Sequence, residues 1–320
     1  MVKGMMKNGT MNTGEYAQRD ETVENLRKVR RITWIGFWVN VLLTGLKFAA
    51  GILGHSSVLV ADAVHSLSDL LTDAAILIGS RFWGRPADEV HPHGHAKIET
   101  LVTLLIGVAL ILVSFGLVHE AVLTVFAMMH GKETAPPTWL PLVAALVSIV
   151  VKEYLYRITA QTGTRIKSSA VIANAWHHRS DALSSIPAAI AVGACLMLGD
   201  NYAFLDPVGT VVVALMIIYA AWEIIQPTFA ALLDAGASRE ECETIARLIR
   251  SFPEIRDLHK LRTRRLGPTG LAVEVHIQVD PNMTVYEAHT LSHRIKTGLS
   301  SELNDVIDVF VHVEPIQSVR

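Results

Sequence analysis

The chain has 320 residues, of which 51% are hydrophobic and 18% charged. That is too apolar for an ordinary soluble enzyme and suits a membrane protein with a soluble part. A formal net charge of −2 offers no basis for a nucleic-acid partner.

The chain opens on a polar stretch, MVKGMMKNGTMNTGEYAQRDETVENLRKVRR. No cleavable signal peptide is expected there, and residues 1–31 read as a cytoplasmic segment. Six stretches follow, near 32–54, 58–82, 98–126, 138–160, 170–199 and 207–233. Each is long enough, as a helix, to cross about 30 Å of hydrocarbon. They make residues 32–233 a transmembrane domain. Turn signals separate them: Gly54 with His55, then GRPADEVHPHGHAK, HGKETAPP, QTGTR and GDNYAFLDP. Pro187 and Pro227 lie inside spans and predict kinks.

Loop charges set the orientation. Lys3, Lys7, Arg19, Arg27, Lys28, Arg30 and Arg31 precede the first span. Arg81, Arg85 and Lys97 flank the second connection, and Arg157, Arg165 and Lys167 the fourth. The other three connections contribute Lys132 alone. The positive-inside rule puts both termini in the cytoplasm, and an even number of spans agrees. The two cysteines, Cys195 and Cys242, fall in different regions and form no disulfide or thiolate pattern, so each reads as a free thiol.

After Asp234 the character becomes that of a soluble domain, residues 234–320. Ser238 and Glu241 form a capping box ahead of Ile245, Leu248, Ile249 and Phe252 at helical spacing. LAVEVHIQV (271–279) alternates as a half-buried strand does, and Thr284 with Glu287 caps a second helix. DVIDVFVHV (305–313) reads as a last strand, and another is expected around 257–265. The order is αββαβ, a small α+β sandwich with helices on one face of a sheet. The fold class is thus an all-α six-helix transmembrane bundle followed by a small cytoplasmic α+β domain of ferredoxin- or metallochaperone-like type.

Two His-x-x-x-Asp pairs lie inside the apolar stretches: His65 with Asp69, and His177 with Asp181. An i,i+4 spacing puts both side chains of a pair on one helix face. Ionisable groups in hydrocarbon are costly and mark ion pathways. Together the pairs offer two nitrogens and two carboxylates, a full tetrahedral set for zinc or a similar ion. Asp62 and Asp73 extend the first ridge, Asn174 and Ser184 the second. Asp62 and Asp73, near the span's ends, read as vestibule or structural residues. Lys47 and the Lys152–Glu153 pair read as snorkelling or interhelical partners. His178 points about 100° away from His177 and reads as packing. In the second–third loop, Asp88, His91, His93 and His95 carry a short His tract able to bind zinc. In the soluble domain, His276 shares a strand face with Glu274 and Gln278, and His312 shares one with Glu314. With His259 and His289 they form a third group that could converge on one surface. His293, four residues after His289, reads as surface.

These motifs resemble those of the cation diffusion facilitator family of divalent-metal transporters. The resemblance covers residues 32–315 and implies that His65, Asp69, His177 and Asp181 bind the transported ion. It matches Asp88, His91 and His95 to a peripheral metal site; His93 stands where the family usually has an aromatic residue. It extends to HKLRTRRLGPTG, EVHIQVD, EAHTLSH and VHVEP, implying His259, His276, His289, His312 and Glu314 as zinc ligands at a dimer interface. Val313 replaces a polar residue that the family can carry there. Lys97 and Asp234 match charged positions that interlock at the membrane–cytoplasm junction. The long His-rich fourth–fifth loop of many relatives is replaced by a short basic segment around Thr162–Ser169.

The implied function is Zn2+ efflux in exchange for protons by a homodimer in a bacterial inner membrane. Zinc would be both cargo and regulator. Exporters of Fe2+, Co2+, Cd2+ or Mn2+ share the same donor set. An intramembrane hydrolase would carry G-x-S-x-G, H-E-x-x-H or a Walker motif, and the chain has none of them. A non-transporting sensor or scaffold would carry a broken quartet.

Overall fold

In the computed structural model, residues 13–83, 88–132, 135–165, 169–267 and 270–316 are described. Lys3, Lys7, Arg85 and Lys167 lie outside them, as do the side chains of Arg19, Arg27, Lys28, Arg30, Asp73 and Arg81. The helices are α1 (Thr13–Leu53), α2 (Ser57–Trp83), α3 (Lys97–Met129), α4 (Trp139–Arg165), α5 (Ser169–Ser184), α6 (Ile186–Leu198) and α7 (Leu205–Leu232). Among the described residues, five segments are long and apolar enough to cross a membrane: Arg31–Leu53, Lys97–Met129, Trp139–Arg165, Val171–Leu198 and Leu205–Leu232. The sixth expected span, α2, has 27 residues, which is enough length. Along it runs the row of Asp62, His65 and Asp69.

The fifth expected span is two helices. Ser185 separates α5 from α6, and Pro187 stands in the first turn of α6. A proline has no N–H for the carbonyl four residues back, here that of Leu183. Pro227, by contrast, sits inside α7 without ending it. The first helix also starts far earlier than the first span, at Thr13.

The described residues of Met1–Leu70 and Leu112–Ile217 form one compact unit, and those of Leu71–Ile111 and Ile218–Arg320 another. In the first unit α4 packs against α1, α5 and α6. Its buried face is Ala144, Ala145, Ser148, Lys152, Leu155, Thr159 and Gly163, mostly small and spaced at three and four. Small residues let helices approach closely where lipid removes the hydrophobic drive between them. At Gly163 an added Cβ would stand 2.8 Å from Ile172 Cγ1 and 3.0 Å from its backbone nitrogen. Large apolar residues such as Leu112, Val150 and Met197 point outward instead.

In the second unit, α8 (Arg239–Arg250), β1 (Asp257–Leu266), β2 (Gly270–Val279), α9 (Val285–Glu302) and β3 (Val306–Pro315) give the expected αββαβ order. The sheet order is β1-β2-β3, with β1 antiparallel and β3 parallel to β2. Both capping boxes form, at Ser238 with Glu241 and at Thr284 with Glu287. Ile245 and Ile249 of α8 and Leu291, Ile295 and Leu299 of α9 pack on Val273, Val275, Ile277 and Val279 of β2. Burying each such side chain stabilises by about 1.5–3 kcal/mol. Strand alternation therefore turns His276 to the sheet's other face. In β1 the register shifts between His259 and Arg262, and Lys260 has φ 49°. This bulge lets Leu258 and Leu261 both reach the core despite their odd separation.

Candidate metal centres

Among the described residues, three clusters gather donor atoms. In the first, Asp69 of α2 and His177 and Asp181 of α5 place one ligand atom each within 4.8 Å of one another. His177 Nδ1 is 3.7 Å from Asp181 Oδ1. Asp69 Oδ2 is buried without a hydrogen-bond partner among the described residues, as is His65 Nδ1. A buried polar atom without a partner is uncommon and calls for an ion or water. His65 stands one turn before Asp69 and is not in the group of three. His178 is buried, and an added Cβ on Gly36 of α1 would meet its Nε2 at 3.1 Å. It packs on the bare helix face there, its Nε2 3.5 Å from Asn174 Nδ2.

Around this cluster lie charged residues whose partners spacing alone did not reveal, and they are interhelical. Lys152 of α4 donates to Asp181 Oδ2 at 3.0 Å. Lys47 of α1 lies 2.9 Å from Asp62 Oδ2 and donates to Ser66 Oγ at 2.9 Å and Ser185 Oγ at 2.8 Å. Neither lysine snorkels: both are fully buried. Glu153 does not pair with Lys152; it meets Arg157 and Arg179. Asp62 is thus a structural partner of Lys47. Ser185, at the helix break, donates to Asp62 Oδ1 at 3.1 Å. The interruption that Pro187 imposes is therefore anchored to α2 one turn beyond Asp181. At the other end, Asp206 of α7 caps α2: its carboxylate accepts from Ser56 Oγ at 2.6 Å and from Ser57 N and Oγ at 2.7 Å each. An anion at a helix N-terminus satisfies its free N–H groups and its dipole.

In the second cluster, Asp88, His91 and His95 bring their ligand atoms within 4.8 Å. Asp88 Oδ1 accepts from the His91 and Val90 amides at 2.6 and 3.0 Å. These bonds, that to His91 first, hold its carboxyl below the usual carboxylate range. His95 Nε2 is 3.3 Å from Asp88 Oδ2. Gly94, at φ 79°, makes the turn that returns His95 to the aspartate. His93 is exposed and outside the cluster.

The third cluster lies on the sheet face that the helices leave uncovered. His259, His276 and Glu314 bring ligand atoms within 4.8 Å. Glu314 accepts from His276 Nδ1 at 2.7 Å, and His259 Nε2 and His312 Nε2 lie 3.3 and 3.5 Å from its oxygens. The His276 bond leads in holding the Glu314 carboxyl below its ordinary value. Register pairs His276 with both His259 and His312. His289 does not join them. It is exposed beside His293 on α9, whose buried stripe of Leu291, Ile295 and Leu299 lies against the opposite sheet face. Elsewhere in the same unit, Lys97 Nζ and Asp234 Oδ1 are 2.8 Å apart, and that bond lowers the Asp234 carboxyl.

Residues 33–233 match the model of the cation efflux transmembrane domain, and residues 237–316 that of the cation efflux protein cytoplasmic domain. The chain belongs to the cation efflux, or cation diffusion facilitator, family. It is an integral membrane protein of divalent metal cation efflux and not an enzyme.

Metal tolerance protein C1 of Arabidopsis thaliana is 34% identical over 297 residues, spanning 89% of this chain and 62% of that protein. The chain therefore covers less than two thirds of that relative's length. Manganese efflux system protein MneP of Bacillus subtilis (strain 168) is 29% identical over 290 residues, 89% of this chain and 96% of that one. The metal-bound C-terminal domain of the CzcD transporter from Thermotoga maritima is 33% identical, covers 26% of this chain and 100% of its own, and has a TM-score of 0.24.

Proposed function

We propose that this cation efflux protein exports Zn2+ in exchange for protons by alternating access. The supporting observation is the gathering of Asp69, His177 and Asp181 within 4.8 Å on two helices of the transmembrane domain. His65, one turn along α2, supplies the fourth ligand when the helices adjust. Imidazole must be neutral and carboxylate ionised to hold the ion, so binding expels protons. Two nitrogens and two oxygens suit tetrahedral zinc.

In this reading residues 1–31 and 234–320 are cytoplasmic, residues 32–233 span a bacterial inner membrane, and the protein is a homodimer. His259, His276, His312 and Glu314 would hold a regulatory zinc, with His289 left to meet it from a second copy. The donor chemistry fits: three imidazoles surround one carboxylate held in its ionised form. Asp88, His91 and His95 form a peripheral site. Lys97 and Asp234 act as a hinge, since an exposed ion pair adds only about 0–1 kcal/mol.

The test is exchange of Zn2+ for H+ in proteoliposomes under an imposed pH gradient. A His65→Ala, Asp181→Ala double variant should not exchange; exchange at the parental rate would refute the site. The relative named as a manganese efflux protein supports a second reading, with Mn2+ as cargo. Fe2+, Co2+ and Cd2+ fit the same donors. Metal competition on the purified protein and on His65→Asp separates them: a zinc carrier should lose zinc preference when one imidazole becomes a carboxylate.

A further inference from the structure

Two buried lysines flank the candidate transport site, and they are held differently. Lys47 has an ion-pair partner and two hydroxyl acceptors, Asp62, Ser66 and Ser185. It pins three helices together. Lys152 is 2% exposed, and among the described residues its one hydrogen-bond partner is Asp181 Oδ2, at 3.0 Å, itself 4% exposed. An ammonium carries three donors, so Lys152 is lightly anchored for a buried charge. Asp181 belongs to the cluster with Asp69 and His177. Beside it, Asp69 Oδ2 is buried and unpartnered. One carboxylate of the cluster is therefore held by a cation of the chain itself, while the other, approached on Oδ1 only by Ser68 Oγ at 3.5 Å, keeps Oδ2 without a partner among the described residues.

We propose that Lys152 is a tethered counter-cation of the transport site, a reading that rests on the transport role given above to Asp69, His177 and Asp181. With no ion bound, Lys152 holds Asp181 and offsets part of the buried negative charge. A divalent cation ligated by Asp181 repels the ammonium across a short, poorly screened distance. Lys152 then leaves Oδ2, and its return helps to expel the cargo. The lysine thus weakens resting affinity and speeds release. A site with two buried carboxylates and no such partner would bind a divalent ion more tightly and let go more slowly.

The test is Zn2+ transport in proteoliposomes as a function of Zn2+ concentration. Lys152→Met should lower KM by about tenfold or more and lower kcat with it, the signature of relieved competition in the ground state. Lys152→Arg, which keeps the charge, should behave much more like the parent. An unchanged or raised KM in Lys152→Met overturns the proposal, because a merely structural lysine would impair binding. Asp69→Ala and Asp181→Ala serve as the separate check on the site. If they transport at the parental rate, the transport reading fails; if they are dead while Lys152→Met shows no KM decrease, only the counter-cation fails. Should Lys152→Met not fold, structures of the parental protein with chelator and with Zn2+ decide. Separation of Nζ from Oδ2 beyond hydrogen-bond distance in the loaded protein is expected, and a retained contact overturns the idea.

Discussion

Lys47 and Asp62 form an ion pair sealed from solvent, Nζ 2.9 Å from Oδ2 with neither side chain exposed. The pair ties α1 to α2, and Ser185 joins it to the break between α5 and α6. Breaking a buried pair from one side leaves an uncompensated charge, which typically costs about 3–5 kcal/mol. Lys47→Met or Asp62→Leu alone should therefore destabilise strongly. The double variant should recover much of that loss, because apolar replacements of both partners fill the space without stranding a charge. Chemical unfolding of the three variants in detergent gives the coupling energy. Additive losses would mean that the pair is not the unit of stability.

Asp206 and the first turn of α2 make a second long-range contact. Its carboxylate reaches the Ser57 amide at 2.7 Å and the Val58 amide at 3.4 Å. Asp206→Ala should cost about 1–2 kcal/mol, as loss of a helix cap does. Asp206→Asn should cost less, since an amide oxygen still accepts. Hydrogen exchange at the start of α2 should rise in the same order, and equal exchange in all three proteins would dismiss the cap.

Lys97 and Asp234 test a different principle. Both are about half exposed, at 48% and 53%. Lys97→Ala should move unfolding free energy by no more than about 1 kcal/mol. If the contact is a hinge, the transport rate should fall severalfold at that small stability cost. The charge-swapped pair Lys97→Asp, Asp234→Lys should recover part of it. A rate that tracks stability alone would assign the pair no coupling role.

What the sequence made legible follows from range. The His-x-x-x-Asp pairs are read within one helix turn, and the capping boxes within four residues, so both were plain. The strands of the C-terminal domain were plain by alternation. Pro187 predicted the interruption, but Ser185's bonds to Asp62 and Lys47, which anchor it, join residues far apart in sequence. Lys47 and Lys152 were legible as snorkelling or interhelical residues; which of the two holds depends on acceptors far away in sequence, Asp62 and Asp181, and the interhelical reading is the one that stands. The β1 bulge left a trace, since Leu258 and Leu261 cannot share a face of a regular strand. The side on which His289 falls was also readable, because Leu291, Ile295 and Leu299 mark the buried stripe of its helix.

Glu241 closes the capping box of α8, accepting from the Ser238 amide at 2.6 Å, and takes Arg265 on both oxygens at 2.9 Å. The Ser238 bond, then Arg265, holds its carboxyl below the ordinary glutamate value. A carboxyl whose pKa is depressed on folding stabilises the fold fully above its unfolded value, near 4.3. That stability drains away as pH falls through the depressed folded value. Glu241 is partly open to solvent, so screening trims the effect toward that of a single cap, about 1 kcal/mol. Protection of the α8 amides, corrected for intrinsic exchange rates, should therefore hold from neutral pH to about 4.3 and decline below it. Glu241→Gln keeps an acceptor oxygen but has no charge to lose. Its α8 should be less protected at neutral pH and should show a flatter acid decline. A parental decline in Glu241→Gln would place the acid-sensitive group elsewhere in the domain.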